Sequence, residues 1–183
     1  AGKRIVFSLG RLIGYKGYRY LVEAAQYLSD DVVVLIGGTG PLRADLQAQI
    51  DRLQLQGKVE LLGFVKDEEV PAYYGACDLF CLPSIQKTEA FGIVQIEAMS
   101  CGKPVVATRI PESGVAWVNA HGVSGLNVEP EDAKALAEAI EAILKDETVY
   151  WNFSEGARRH FKEYFTRERM LEDCLQIYRN LLG

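Results

Sequence analysis

The sequence predicts an α/β fold: a doubly wound parallel sheet of about six strands with a helical C-terminal tail. Three observations predict it. The apolar runs are short, continuous and rich in Val, Ile and Leu, as strands buried on both faces require. They alternate with segments of helical periodicity, and strand–helix–strand crossovers impose parallel pairing with helices on both faces. The chain has 183 residues, 49% hydrophobic and 25% charged, which suits a single well-filled core.

The elements follow in order. Residues 4–9 (RIVFSL) read as a strand and 18–29 as a helix. Residues 32–36 (VVVLI) are a strand, and 41–54 a helix with Pro41 in its first turn, where a missing N–H costs nothing. Residues 58–62 form a strand, 68–76 a short helix, and 78–82 (DLFCL) a strand. A helix from about 92 to 101 is stopped by Gly102 and Pro104. Residues 104–107 and 126–128 are short strands, and 131–145 is a helix. Residues 147–183 are helical and amphipathic, and Trp151, Phe161, Phe165 and Tyr178 are expected to form a packing face. The expected division is a binding domain over 1–150 and C-terminal helices over 151–183.

Charge and composition exclude several functions. The net charge is −5, so no basic footprint for nucleic acid exists, and a bound anion needs locally gathered cations. Cys77, Cys81, Cys101 and Cys174 lack CxxC spacing and sit in apolar contexts; they read as reduced core residues of a cytoplasmic protein. The two histidines, His121 and His160, are far apart in sequence, and no metal site is expected. Neither a signal peptide nor a run long enough to span a membrane is seen. The chain starts Ala-Gly-Lys without an initiator Met, as expected of a processed chain or an excised piece.

Six such strands in two mononucleotide-binding halves take the Rossmann-like order 3-2-1-4-5-6, with the ligand crevice beyond the carboxyl ends of strands one and four. The loops there are GRLIGYKG (10–17) and PSIQKTEAFG (83–92). Arg11 and Lys16 therefore face Glu89 and a helix N-terminus near Gly92. Two cations beside unpaired helix amides suit an anion, particularly a pyrophosphate. The spacing of Gly10, Gly14 and Gly17 is not G-x-G-x-x-G, which disfavours a nicotinamide dehydrogenase. In EAFGIVQIEAMSCGKPVVAT (89–108), Glu89 precedes the helix and Glu97 lies about one and a half turns inside it. Carboxylates are poor phosphate ligands but good acceptors for hydroxyls. The pair suggests a sugar at one end of a pyrophosphate and a ribose at the other.

These stretches, with VVVLIGGTGPLRADL (32–46), VELLGFVKDEEVPAYYGACDLFCLPS (59–84), HGVSGLNVEPEDAKALAEAI (121–140) and the tail from Tyr164 to Leu182, carry a resemblance over nearly the whole chain. It resembles the C-terminal, donor-binding domain of a GT-B glycosyltransferase of the large retaining family 4. The E-x7-E pattern is its specific part; the GGTG turn alone is weak.

The resemblance implies transfer of a hexose from a nucleoside diphosphate sugar to an acceptor hydroxyl, with retention of configuration and no cofactor beyond the donor. It places Arg11 and Lys16 on the phosphates and Glu89 on the transferred sugar. The backbone at Gly10, Phe91, Gly92 and Ile93 faces the phosphates and sugar. Glu97 takes the ribose, and Val65 and Asp67 resemble positions that contact the base; a plain turn and a helix-start acid explain those two equally well. No D-x-D occurs, so a metal clamp of that kind is not expected. The partner implied is an N-terminal domain supplying the acceptor site, and the resemblance also allows peripheral membrane association of a full-length enzyme. The segment RIPESGVAWVNAHG (109–122) departs from the family's commoner PEVV-type loop, and Trp117 reads as packing. A nucleotide-sugar epimerase, a sugar phosphorylase and a non-catalytic nucleotide-binding module remain as alternatives.

Overall fold

The structure, a computed structural model, describes residues 2–182. Six strands, β1 (Arg4–Leu9), β2 (Val32–Gly37), β3 (Val59–Gly63), β4 (Leu79–Leu82), β5 (Val105–Thr108) and β6 (Gly125–Val128), form one sheet in the order β3-β2-β1-β4-β5-β6. Every adjacent pair is parallel. The order reverses direction between β1 and β4, as the sequence predicts.

Eight helices accompany the strands among the described residues: α1 (Tyr18–Ala24), α2 (Arg43–Arg52), α3 (Val70–Ala76), α4 (Ile93–Ser100), α5 (Val115–Val118), α6 (Ala133–Leu144), α7 (Glu147–Tyr164) and α8 (Arg167–Leu182). Alternate strand residues point to opposite faces. Val6, Val34, Ile36, Cys81 and Val106 join Leu21, Leu46 and Ile140 beneath α1, α2 and α6. Phe7, Phe80, Leu82, Val105 and Ala107 join Tyr74, Met99, Val115 and Ala157 beneath α3, α4, α5 and α7. Because α1 and α4 leave β1 and β4 towards opposite faces, the sheet opens between them at its carboxyl edge. On the second face Phe7 and Phe80 are fully buried, each worth roughly 1.5–3 kcal/mol relative to exposure.

Several boundaries differ from the sequence reading for identifiable reasons. The first helix ends at Ala24 because Gln26 and Tyr27 donate three residues back, to Glu23 and Ala24, and tighten the chain into a turn. Pro41 lies before α2 instead of in its first turn. Leu42 N–H is committed to Leu12 O at 3.1 Å, which delays the helix to Arg43. The long final helix is two. Phe165 leaves helical geometry (φ −123°, ψ 9°), and Thr166 Oγ1 restarts the helix by accepting from Arg169 N–H at 3.2 Å. The boundary expected after residue 150 falls within α7, which buries Ser154 and Ala157 against the sheet domain.

The tail and the cysteines need correction. Phe161 and Phe165 pack against the core, but Trp151 and Tyr178 are exposed, and α8 buries no residue. Cys77 and Cys81 are buried core residues; Cys101 is half-buried and Cys174 is exposed on α8. Burial pushes the Cys77 thiol up to about 12. No helix among the described residues is long and apolar enough to cross a membrane.

Candidate functional site

The loop after β1 is built around glycine. A 3-10 turn, Gly14–Lys16, ends in Gly17 at φ 67°, a left-handed conformation that only glycine adopts without strain. A Cβ at Gly17 would lie 2.0 Å from Pro83 O in the loop after β4. The two loops are also stitched directly, Ile85 N–H donating to Tyr15 O at 2.8 Å. The GGTG turn serves the same scaffold: a Cβ at Gly38 would meet Gly10 O at 1.9 Å, and one at Gly40 would meet Leu12 O at 2.4 Å. Its glycines admit the β1 loop itself.

This stitching brings Lys16 and Glu89 together. Lys16 Nζ donates to Glu89 Oε2 at 2.5 Å, and both side chains are about nine-tenths buried. Ser84 Oγ donates to the same oxygen at 2.8 Å. Ser113 Oγ donates to the Glu89 backbone carbonyl, and Gly114 N–H to Ala90 O at 2.8 Å. Glu89 is therefore clamped by three loops, those after β1, β4 and β5. Beneath them lies Tyr18, whose hydroxyl is pushed well above the ordinary tyrosine range, chiefly by burial.

Arg11 is exposed on the same loop, and its guanidinium reaches Tyr15 Oη at 3.4 Å. Gly92 caps α4 in the left-handed region (φ 71°) and offers no side-chain cap. The first amide hydrogens of α4 are thus left for another acceptor. A Cβ at Gly92 would stand 2.6 Å from Leu82 Cδ2. Ile93 is largely exposed, while the Phe91 ring turns towards Trp117 and Phe165, at centroid distances of 6.1 and 6.3 Å.

Glu97 lies apart from this cluster, on the wall of a cavity of about 630 Å³ lined by Leu9, Asp67, Val70, Tyr74 and Val94 among others. It accepts from Tyr74 Oη at 2.8 Å. Asp67 is exposed at that cavity, whereas Val65 is buried, its Cγ2 lying 2.9 Å from where a Gly37 Cβ would be. The site residues read from the sequence thus divide into two groups flanking the start of α4. Arg11, Lys16, Glu89 and the turn at Gly92 form one; Glu97 and Asp67 form the other. A larger groove of about 740 Å³, between α1, α2 and Ile85, contains none of Lys16, Glu89 or Glu97.

Ser84, Ser113 and Tyr74 were not legible as site residues. Ser113 and Tyr74 lie on other elements than the glutamates they meet, and Ser84, in the same loop as Glu89, reaches it only through the fold of that loop. Trp117, expected to pack, lies against Phe91 and Phe165 at the α7–α8 joint but is 61% exposed.

The model of the family described as glycosyl transferases group 1 matches residues 1–160. O-antigen chain mannosyltransferase C of Escherichia coli is 31% identical over 181 residues, covering 99% of this chain and 48% of that protein. The D-rhamnosyltransferase WbpZ of Pseudomonas aeruginosa is 33% identical over 165 residues, 90% of this chain and 42% of that one. Among solved structures, Anabaena HepE in complex with UDP superposes with a TM-score of 0.87 at 30% identity, covering 98% of this chain and 49% of that chain. The same protein has been solved with UDP-glucose. The chain spans about half the length of these relatives. With the predicted strand order, the paired Lys16 and Glu89 at the switch point, and a family match over most of its length, the chain belongs to the glycosyl transferases group 1 family.

Proposed function

We propose that the chain is the nucleotide-sugar binding half of a retaining glycosyltransferase. The whole enzyme moves a hexose from a nucleoside diphosphate sugar to an acceptor hydroxyl, in polysaccharide, glycolipid or glycoconjugate synthesis. The observation that carries this reading is the clamped Lys16–Glu89 pair beside the uncapped start of α4.

The difficult step is departure of the nucleoside diphosphate, on which negative charge accumulates. Arg11, Lys16 and the amides of Gly92 and Ile93 stabilise that charge. A preorganised donor of this kind supplies about 3–4 kcal/mol to a transition state. An ammonium has three N–H donors, so Lys16 holds Glu89 and a phosphate oxygen together. Glu89 Oε1 is then the oxygen left to accept from the sugar hydroxyls. Glu97 accepts from the ribose diol. Asp67 faces the base by its side chain and Val65 by its backbone, since the Val65 side chain is buried. The acceptor site and any general base come from an N-terminal domain of the same protein. No cofactor is assigned beyond the donor.

Calorimetric titration with UDP, GDP and their hexose conjugates tests this reading. Binding of a diphosphate, with added affinity from the hexose, supports it. Equal affinity for the diphosphate and every conjugate favours a plain nucleotide-binding module, and no binding to any of them contradicts both.

A further inference from the structure

Tyr74 belongs to α3, whose Val70 and Tyr74 line the cavity beside Glu97. Its ring is 2% exposed and wedged among aromatic side chains, edge-on to Phe7 at 5.6 Å and tilted to Phe80 at 5.7 Å between centroids. That packing leaves the ring one orientation. At its end the hydroxyl meets the cavity wall, 2.8 Å from Glu97 Oε2 and 3.2 Å from Val94 O. A phenol has one proton. The nearer, charged acceptor takes it, because a hydrogen bond to an ionised oxygen is about twice as strong as a neutral one. Burial, and then the bond to Glu97, pushes the Tyr74 hydroxyl far above the ordinary tyrosine range, in keeping with its role as the donor.

Glu97 needs such a tether. It is exposed and makes no ion pair among the described residues. An unrestrained glutamate explores many rotamers, and fixing it on binding costs affinity. Tyr74 anchors Oε2 and leaves Oε1 without a hydrogen bond among the described residues, so the chain itself supplies part of that ordering.

We propose that Tyr74 is a positioning residue for Glu97, and that selection of a ribose resides in the Tyr74–Glu97 pair, not in the glutamate alone. The proposal rests on the reading of Glu97 as the ribose ligand. It concerns a packed aromatic on a neighbouring helix that acts through Glu97.

The test uses the 183-residue chain, with UDP and GDP, their 2′-deoxy counterparts, and inorganic pyrophosphate as probes. The wild type should prefer the ribonucleotide. Tyr74→Phe should lower that preference about 3- to 10-fold, the cost of ordering one rotamer-rich side chain expressed as affinity. Pyrophosphate affinity should not change. In a Glu97→Gln background, Tyr74→Phe should have no further effect on the ratio. A folded Tyr74→Phe variant with the wild-type ratio overturns the proposal, as do additive effects in the double variant. If Tyr74→Phe does not fold, Glu97→Asp replaces it. That carboxylate is withdrawn from the tyrosine hydroxyl with its charge intact, and an unchanged ratio counts equally against the proposal. A wild type with no ribose preference removes the Glu97 reading first, which separates the two failures.

Discussion

In the proposed function Lys16 has two tasks where Arg11 has one. Lys16 neutralises a carboxylate that is about nine-tenths buried; Arg11 is exposed, and the hydrogen bond its side chain makes is a long one, to Tyr15. Removing one partner of a buried ion pair strands the other, at about 3–5 kcal/mol. Lys16→Ala should therefore lower unfolding free energy by about that amount in denaturant titrations, and Lys16→Ala/Glu89→Gln should recover most of it. Arg11→Ala should leave stability unchanged and weaken diphosphate binding roughly 10- to 100-fold, since one charge-assisted hydrogen bond is worth about 1.5–3 kcal/mol. A Lys16→Ala chain as stable as wild type would contradict the clamp. The sequence placed these residues on facing loops through strand order. It did not reveal that Lys16 and Glu89 bond each other, because the contact depends on Ser84 and on the left-handed turn at Gly17. Tyr74 was hidden for a different reason: beside Tyr73 on an apolar helix face, it is indistinguishable from packing until its hydroxyl is seen at Glu97.

At the scale of elements, the site depends on how closely the loops after β1 and β4 approach. Gly17→Ala adds a methyl group 2.0 Å from Pro83 O and strains a left-handed residue. It should cost at least about 1–2 kcal/mol from the backbone alone, and should weaken diphosphate binding more than Gly57→Ala, also at positive φ but with open space around its Cβ. Equal effects of the two substitutions on binding would show that loop contact is not the cause. The last helix has the opposite character. Leu171, Leu175, Tyr178 and Leu182 are all exposed on α8. Deleting residues 167–183 should leave the melting temperature within about 2 °C, since surface changes away from packed features alter stability by only about 0.5 kcal/mol. A larger fall would mean that α8 contributes to this fold. The strands were legible because buried parallel strands are continuous apolar runs. The break at Phe165 and the short α5 were not, because the tail is amphipathic on both sides of Thr166 and α5 is a single turn.

For the whole molecule, a net charge of −5 means that the proposed anion binding has to be a local achievement of Arg11, Lys16 and the start of α4. Without a second domain to close over the ligand, affinity should be modest, about 10 μM to 1 mM. No sugar should reach any acceptor; robust transfer by the chain alone would contradict its reading as half of an enzyme. The most direct test of the central claim is a crystal structure of the chain with a nucleoside diphosphate hexose. The account predicts the pyrophosphate on Arg11, Lys16 and the amides of Gly92 and Ile93, the hexose hydroxyls on Glu89, and the ribose diol on Glu97 with Tyr74 still bonded behind it. A nucleotide seated in the groove between α1 and α2, or both carboxylates on the ribose, would contradict it.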